Sequence, residues 1–137
     1  MKNFLWRACS NILPTRDNLH RKKLQVEPWC AICHQPIETV CHILWECPLA
    51  RNVWTLVKGR TQKSAAQASD FLALTRSMVE RLPKEEMERW SAKAWAIWNA
   101  RNKLCFENFQ TLPEIILRGA LSFLQEYQEL VAQQRTV

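Results

Sequence analysis

Two pairs of metal-ligating residue types stand out in this sequence. Cys30 and Cys33 form a C-x2-C pair, and His42 and Cys47 form an H-x4-C pair, with eight residues between the two pairs. A C-x2-C loop can turn both sulfurs toward one centre, and a second pair can complete a tetrahedron there. Three thiolates and one imidazole leave no position for water, which is typical of structural zinc. The spacing therefore predicts one structural Zn²⁺ bound by these four residues.

Two other interpretations of these residues stay open. Free cysteine packs well as a small hydrophobic side chain, so the cysteines could be ordinary core residues. His34 or Cys41, each next to a predicted ligand, could also take the place of one of them. We expect His34 to point away from a metal held by Cys33, and Cys41 to pack inward.

Length and composition limit the architecture. The chain has 137 residues, of which 47% are hydrophobic and only two are glycine, which disfavours a turn-rich β fold. Residues 1–7 contain no sustained apolar stretch, so we expect no signal peptide and an intracellular protein, nuclear or cytoplasmic. In such a reducing compartment, clusters of Cys and His usually bind metals. No apolar run in the sequence is long enough to span a membrane.

Apolar periodicity predicts an all-α fold, with short helices around a CCHC zinc knuckle and a helical C-terminal extension. Thr15 and Ser69 are expected to cap helices, and Thr111 to Glu114 has the form of a capping box. We expect a zinc-binding domain over 1–60, a linker over 61–69 and the extension over 70–137. The predicted helices cover residues 2–12, 15–23, 38–46, 48–58, 70–82, 84–107 and 113–133.

Positive charge is concentrated in the half that carries the ligand pattern. The formal net charge is +6; residues 1–63 hold ten Lys or Arg and four Asp or Glu, whereas residues 64–137 hold nine of each. A one-sided basic surface indicates phosphate contacts, although it could also serve solubility alone. The predicted nucleic-acid contacts are Arg16, Arg21, Lys22, Lys23 and Trp29.

Each of these contacts has a structural alternative. Cations at the end of a helix could stabilise its macrodipole instead. Trp29 is the first candidate for stacking on an unpaired base and Trp45 the second, but either could pack around the metal. Trp6 and Trp54 are expected in the core. Trp95 and Trp98 could form a stacked or cation–π cluster with Arg101.

The ligand pattern also resembles a known family. The C-x2-C pair is followed by Glu38-Thr39, His42, Cys47-Pro48 and Val53-Trp54. It is preceded by the runs Phe4-Leu5-Trp6-Arg7 and Leu13-Pro14-Thr15-Arg16-Asp17-Asn18-Leu19. Over residues 4–54 this looks like the zinc-binding domain of non-LTR (LINE-type) retrotransposon reverse transcriptases, especially those of plants. Residues 95–107, which contain Trp95-Ala96-Ile97-Trp98-Asn99-Ala100-Arg101-Asn102 and Phe106, are similar to the segment that follows that domain.

The resemblance implies a function as well as a ligand set. It carries Cys30, Cys33, His42 and Cys47 over as zinc ligands. It also implies that the domain helps a reverse transcriptase hold its RNA template or target DNA, and that the chain is a fragment of such a polyprotein or a gene derived from one.

No catalytic motif accompanies the zinc pattern. The family's polymerase needs clustered aspartates for magnesium, and this chain has only Asp17 and Asp70. No endonuclease or RNase H motif is visible either. We therefore expect a zinc-stabilised module that binds RNA or single-stranded DNA, is not an enzyme by itself, and has the polymerase domain of the same polyprotein as a further partner. The alternatives are a protein-interaction or scaffold module and a non-functional fragment of a retrotransposon polyprotein.

Overall fold

A computed structural model describes residues 2–57 and 70–135 of the chain. The predicted linker over 61–69 and the predicted Ser69 cap lie outside the described residues. Within those ranges the protein is helical and contains no strand, which confirms the all-α prediction. None of these helices combines the length and the apolar character that a membrane span requires. The elements are α1 (Lys2–Cys9), α2 (Arg16–Arg21), a π-helical turn (His42–Glu46), α3 (Pro48–Trp54), α4 (Phe71–Arg81), α5 (Lys84–Glu107) and α6 (Pro113–Arg135).

Side-chain caps fix where several helices begin. The Thr15 hydroxyl accepts a hydrogen bond from the Asn18 N–H at 3.2 Å, as predicted for the start of α2. Asp70 caps α4 by accepting from the Ala73 N–H at 2.8 Å. The predicted capping box at Thr111 is wrong, because its hydroxyl has no hydrogen-bond partner and α6 begins two residues later, at Pro113.

Helix α5 lies at the centre of the protein. It packs against α1, α3, α4, α6 and the π turn, and its apolar residues are buried on more than one face. Trp95 of α5 stacks on Phe123 of α6 with the ring centroids 4.1 Å apart. Apolar periodicity in the sequence predicts an inner stripe on α5 that consists of Met87, Trp90, Ala94, Ile97, Trp98, Arg101 and Cys105. Five of these seven residues are buried, and Met87 and Cys105 are half-buried. The buried residues of the whole helix are Trp90, Ser91, Ala92, Lys93, Ala94, Ala96, Ile97, Trp98, Ala100 and Arg101.

An aromatic cluster joins the two regions that the sequence separates into domains. Trp45 and Trp54 lie 5.2 Å apart, Trp54 and Trp90 lie 6.0 Å apart, and Phe71 and Trp90 lie 5.6 Å apart, measured between ring centroids. The Trp54 indole N–H donates to the Leu44 carbonyl at 2.9 Å. The division at residues 61–69 stays a prediction, but the residues on either side of it share one core.

The expectation that Trp6 lies in the core is wrong, because its side chain is 64% exposed. Helix α1 turns Ala8 inward, and a residue two positions away lies about 200° round the helix axis. Trp6 therefore faces solvent, while Trp54, also predicted in the core, is fully buried.

Trp90, which is fully buried, and Trp6, which is exposed, give a matched test of the core. We expect Trp90→Ala to lower the free energy of unfolding by about 3–5 kcal/mol, because it removes a ring that packs against three other aromatic side chains. Trp6→Ala should change it by less than about 0.5 kcal/mol, since the ring is exposed. Urea unfolding followed by circular dichroism measures both; equal losses would refute this description of the core.

Candidate metal centre

The donor atoms of Cys30, Cys33, His42 and Cys47 converge, all lying within 4.8 Å of one another. The sulfurs of Cys30 and Cys47 are 3.9 Å apart, and the Cys33 sulfur lies 3.2 Å from His42 Nε2. Zinc bond lengths place the donors of a tetrahedral site about 3.5–3.8 Å from each other. Cys30 and Cys47 are fully buried and His42 is 6% exposed. The separations, burial and donor types together fit a structural zinc ion.

A tight turn positions the first two sulfurs. The Cys30 carbonyl accepts from the His34 N–H at 2.8 Å, and the Cys30 N–H donates to the Gln35 carbonyl at 2.9 Å. His34 has a positive φ of 64°, a left-handed conformation that few side chains adopt. These bonds fold the C-x2-C segment back on itself, so that Cys30 and Cys33 face the same centre.

The other two donors lie at the two ends of a π-helical turn, His42–Glu46, which replaces part of the short helix predicted over 38–46; His42 is its first residue and Cys47 follows it directly. The Cys47 N–H donates to the His42 carbonyl at 2.6 Å, a bond that spans five residues. In an α-helix, residues five apart point about 140° away from each other. The wider π turn brings His42 and Cys47 to the same side, so the H-x4-C spacing can serve one centre.

The residues beside the ligand pattern lie outside the cluster of donor atoms. His34 is exposed, and its ring lies 5.6 Å from that of Trp29 between centroids. Cys41 is buried, at 6% exposure, as expected for a residue that packs inward. The four converging donors are therefore Cys30, Cys33, His42 and Cys47, and that His34 and Cys41 do not bind the metal stays a prediction.

The hydrogen bond between Cys30 and Cys47 favours the thiolate form of Cys30 and disfavours that of Cys47, as their pKa values show. The bond from Cys47 lowers the pKa of Cys30 to about 3, against the effect of burial. The same bond, together with burial, raises the pKa of Cys47, which retains the shared proton. A bound dication favours the thiolate form of both cysteines and releases that proton.

A buried carboxylate connects the segment carrying Cys30 and Cys33 to α2 and α5. Glu38 is fully buried and Arg101 is 3% exposed. Arg101 Nη2 donates to Glu38 Oε1 at 2.6 Å, and Arg101 Nε donates to Oε2 at 3.2 Å. The backbone N–H of Arg16 donates to the same Oε1 at 2.8 Å. The backbone of Glu38 also bonds Pro28 and Asp17, at 2.8 and 3.2 Å.

Sequence reasoning missed this ion pair, although it placed Arg101 on the inner stripe of α5. A buried arginine requires an anionic partner, and Glu38 stands inside the run that carries the resemblance. Those two facts could have suggested the pair. The predicted cation–π contact is confirmed, since the Arg101 guanidinium lies 4.8 Å from the centroid of the Trp98 ring.

The predicted nucleic-acid contacts fall into two groups. The Arg16 guanidinium lies 4.8 Å from the Trp29 ring centroid, and Trp29 is 39% exposed. Arg21, Lys22 and Lys23 are exposed at the end of α2, and Arg21 pairs with Asp17 at 3.4 Å. Trp45, the second stacking candidate, is only 2% exposed and packs in the core instead.

Comparisons with known proteins agree with the donor geometry. Residues 1–54 match a family described as zinc-binding in reverse transcriptase. The chain is 27% identical over 99 residues to an Arabidopsis thaliana protein named "Putative ribonuclease H protein". That match covers 72% of this chain but only 16% of the relative. No solved structure matches the chain significantly. The family match includes all four donor residues and Glu38, and it ends before Arg101.

Metal content tests the four donors directly. We expect about one zinc per chain in the parent protein and a large loss of zinc in Cys30→Ser, Cys33→Ser, His42→Ala and Cys47→Ser. Native mass spectrometry measures this. Cys41→Ser is the matched control, a buried cysteine outside the cluster, and should retain the metal. Zinc lost from the control but kept by Cys47→Ser would disprove the assignment.

Proposed function

Because residues 1–54 form a zinc-binding domain of the kind found in reverse transcriptases, we propose that the chain is a zinc-stabilised module that binds RNA or single-stranded DNA. Cys30, Cys33, His42 and Cys47 bind the zinc. The module has no catalytic activity of its own. The convergence of four donor atoms within 4.8 Å of one another, three of them in buried residues, carries this proposal. Trp29, one of the exposed candidates for nucleic-acid contact, directly precedes the donor Cys30 in the sequence.

The zinc has a structural role in this proposal. Four protein donors fill a tetrahedral shell, so the ion fixes the backbone and has no open position at which to activate water. The two aspartates are also engaged elsewhere, since Asp17 pairs with Arg21 and Asp70 caps α4. Among residues 2–57 and 70–135, neither aspartate belongs to a group of converging carboxylates that could hold catalytic magnesium.

The binding surface, which we call the basic face, consists of Arg16, Arg21, Lys22, Lys23 and Trp29. Lys22 and Lys23 are exposed and form no ion pair within the described ranges, so their charges are free to neutralise phosphates. Trp29 offers a partly exposed ring directly before the donor Cys30. An aromatic ring beside cations is a common platform for an unpaired base.

Charge reversal on the basic face tests this proposal. We expect zinc-loaded Lys22→Glu/Lys23→Glu to bind a labelled single strand about tenfold or more weakly at low salt. The slope of log affinity against log salt should fall by about 1.4, since each phosphate contact with a single strand contributes about 0.7. Fluorescence anisotropy over a salt series measures both quantities.

The control changes net charge equally on another helix. Arg76→Glu/Arg81→Glu reverses two exposed charges on α4 and should weaken binding less and leave the slope nearly unchanged. If the zinc-loaded parent binds neither RNA nor single-stranded DNA at low salt, the proposed function is wrong. Equal losses of affinity in both double variants would mean that binding depends on the overall net charge rather than on the basic face.

A second candidate function, protein interaction, is favoured by exposed apolar residues where α5 meets α6. Phe106 is 77% exposed, Phe109 and Leu112 are each 59% exposed, and Ile115 is 50% exposed. Phe106 and Ile115 also line a groove of about 550 Å³ between the two helices. Such a patch is typical of a surface that contacts another protein, and in a longer polyprotein that partner would be a neighbouring domain.

Self-association gives a first test of the patch. If the apolar patch binds protein, the parent chain should oligomerise at high concentration or bind a hydrophobic dye, because burial of exposed apolar side chains is favourable. Phe106→Ser/Phe109→Ser should reduce either signal. Light scattering and dye fluorescence measure them. A monomer that binds no dye would count against this second function.

A further inference from the structure

Arg101 lies outside the residues that match the zinc-binding family, yet it contacts Glu38 inside them. We infer that Arg101 is a positioning residue, which acts through Glu38 to hold both the metal-binding loop (residues 28–38) and the Arg16–Trp29 pair. Helix α5 is then a working part of the nucleic-acid-binding module. The part of this inference that concerns Arg16 and Trp29 rests on the proposed function, whereas the part that concerns the metal-binding loop does not.

The metal-binding loop depends on Glu38 for its shape. No helix or strand occurs between the end of α2 at Arg21 and the helical residues that begin at Val40. Within this stretch the Glu38 N–H donates to the Pro28 carbonyl at 2.8 Å. That bond joins the two ends of the loop that contains Cys30 and Cys33. The fork of Arg101 fixes the Glu38 side chain, and therefore the end of the loop.

One carboxylate oxygen extends this constraint to the basic face. Glu38 Oε1 accepts from Arg101 Nη2 at 2.6 Å and from the Arg16 N–H at 2.8 Å. Arg16 is the first residue of α2, and its Nε donates to the Glu27 carbonyl at 2.9 Å. Its guanidinium lies beside the Trp29 ring. Arg101 and Arg16 are thus coupled through one shared acceptor.

The guanidinium of Arg101 is itself held in place. Its Nη1 donates to the side chain of Asn102 at 2.9 Å, and the group lies against the Trp98 ring. A two-point contact with a carboxylate needs the planar fork of arginine, which the single ammonium of lysine cannot reproduce. Lysine at this position should therefore preserve the charge but only part of the positioning.

Zinc release from the full zinc-loaded chain tests the first half of the inference. We expect Arg101→Met to transfer zinc to a chromophoric chelator about tenfold faster than the parent, at a temperature at which circular dichroism shows both proteins folded. Arg101→Lys should lie between the two. The matched control is Arg89→Met, which removes one exposed positive charge from α5 and should stay within about twofold of the parent.

A double-mutant cycle tests the coupling to the basic face. The affinity for a fluorescein-labelled oligouridylate is compared among the parent, Arg16→Met, Arg101→Met and the double variant. If Arg101 positions Arg16, the loss caused by Arg16→Met should be several-fold smaller once Arg101 is gone, whereas independent residues give additive losses. A purely stabilising role for Arg101 would not produce this coupling.

Each outcome decides a stated part of the inference. Zinc transfer from Arg101→Met at the rate of Arg89→Met overturns the role at the metal-binding loop. Additive losses in the cycle overturn the role at the basic face. If Arg101→Met does not fold, Arg101→Lys takes its place in both experiments. The inference is then overturned if Arg101→Lys transfers zinc at the rate of the parent and its loss of affinity is additive with that of Arg16→Met. A parent chain that binds no strand contradicts the proposed function, and zinc release alone then decides the role of Arg101.

Discussion

The structure depends on holding four metal donors within 4.8 Å of one another in a region with little regular backbone structure. A cation that binds three thiolates and an imidazole supplies about 10–16 kcal/mol in zinc-finger peptides, as much as the whole stability of a typical domain, about 5–15 kcal/mol. Hydrogen bonds within the metal-binding loop contribute far less, about 1 kcal/mol each. Metal binding is therefore the contribution to the free energy that decides whether the metal-binding loop adopts a single conformation.

The Glu38–Arg101 pair has a different physical role. Two buried charges lose their hydration, so such a pair adds little net stability compared with apolar residues of the same volume. Removing one partner is costly, about 3–5 kcal/mol, because it leaves the other charge buried and unpaired. The pair therefore contributes mainly to conformational specificity, since it disfavours any packing of α5 that separates Arg101 from Glu38. The pair connects the metal-binding loop, which the zinc orders, to helix α5, which the aromatic cluster holds in place.

The sequence predicted what local spacing encodes. The donor types, the Thr15 cap and the buried stripe of α5, including Arg101, follow from patterns a few residues long. The π turn could not be predicted, because the H-x4-C pattern gives only the number of residues between the two ligands. It does not say how many residues the backbone uses per helical turn. The Glu38–Arg101 pair joins residues 63 positions apart, beyond the reach of periodicity. Hydrophobicity alone does not place Trp6, because its position on α1, opposite the buried Ala8, turns its ring toward solvent.

X-ray absorption at the zinc K-edge, recorded on the full chain, tests the central claim most directly, namely that one closed Cys3His centre orders the N-terminal region. The account predicts a four-coordinate shell with three sulfurs at about 2.3 Å and one nitrogen at about 2.0–2.1 Å. A shell composed mainly of oxygen and nitrogen, or one that contains a water ligand, would contradict it.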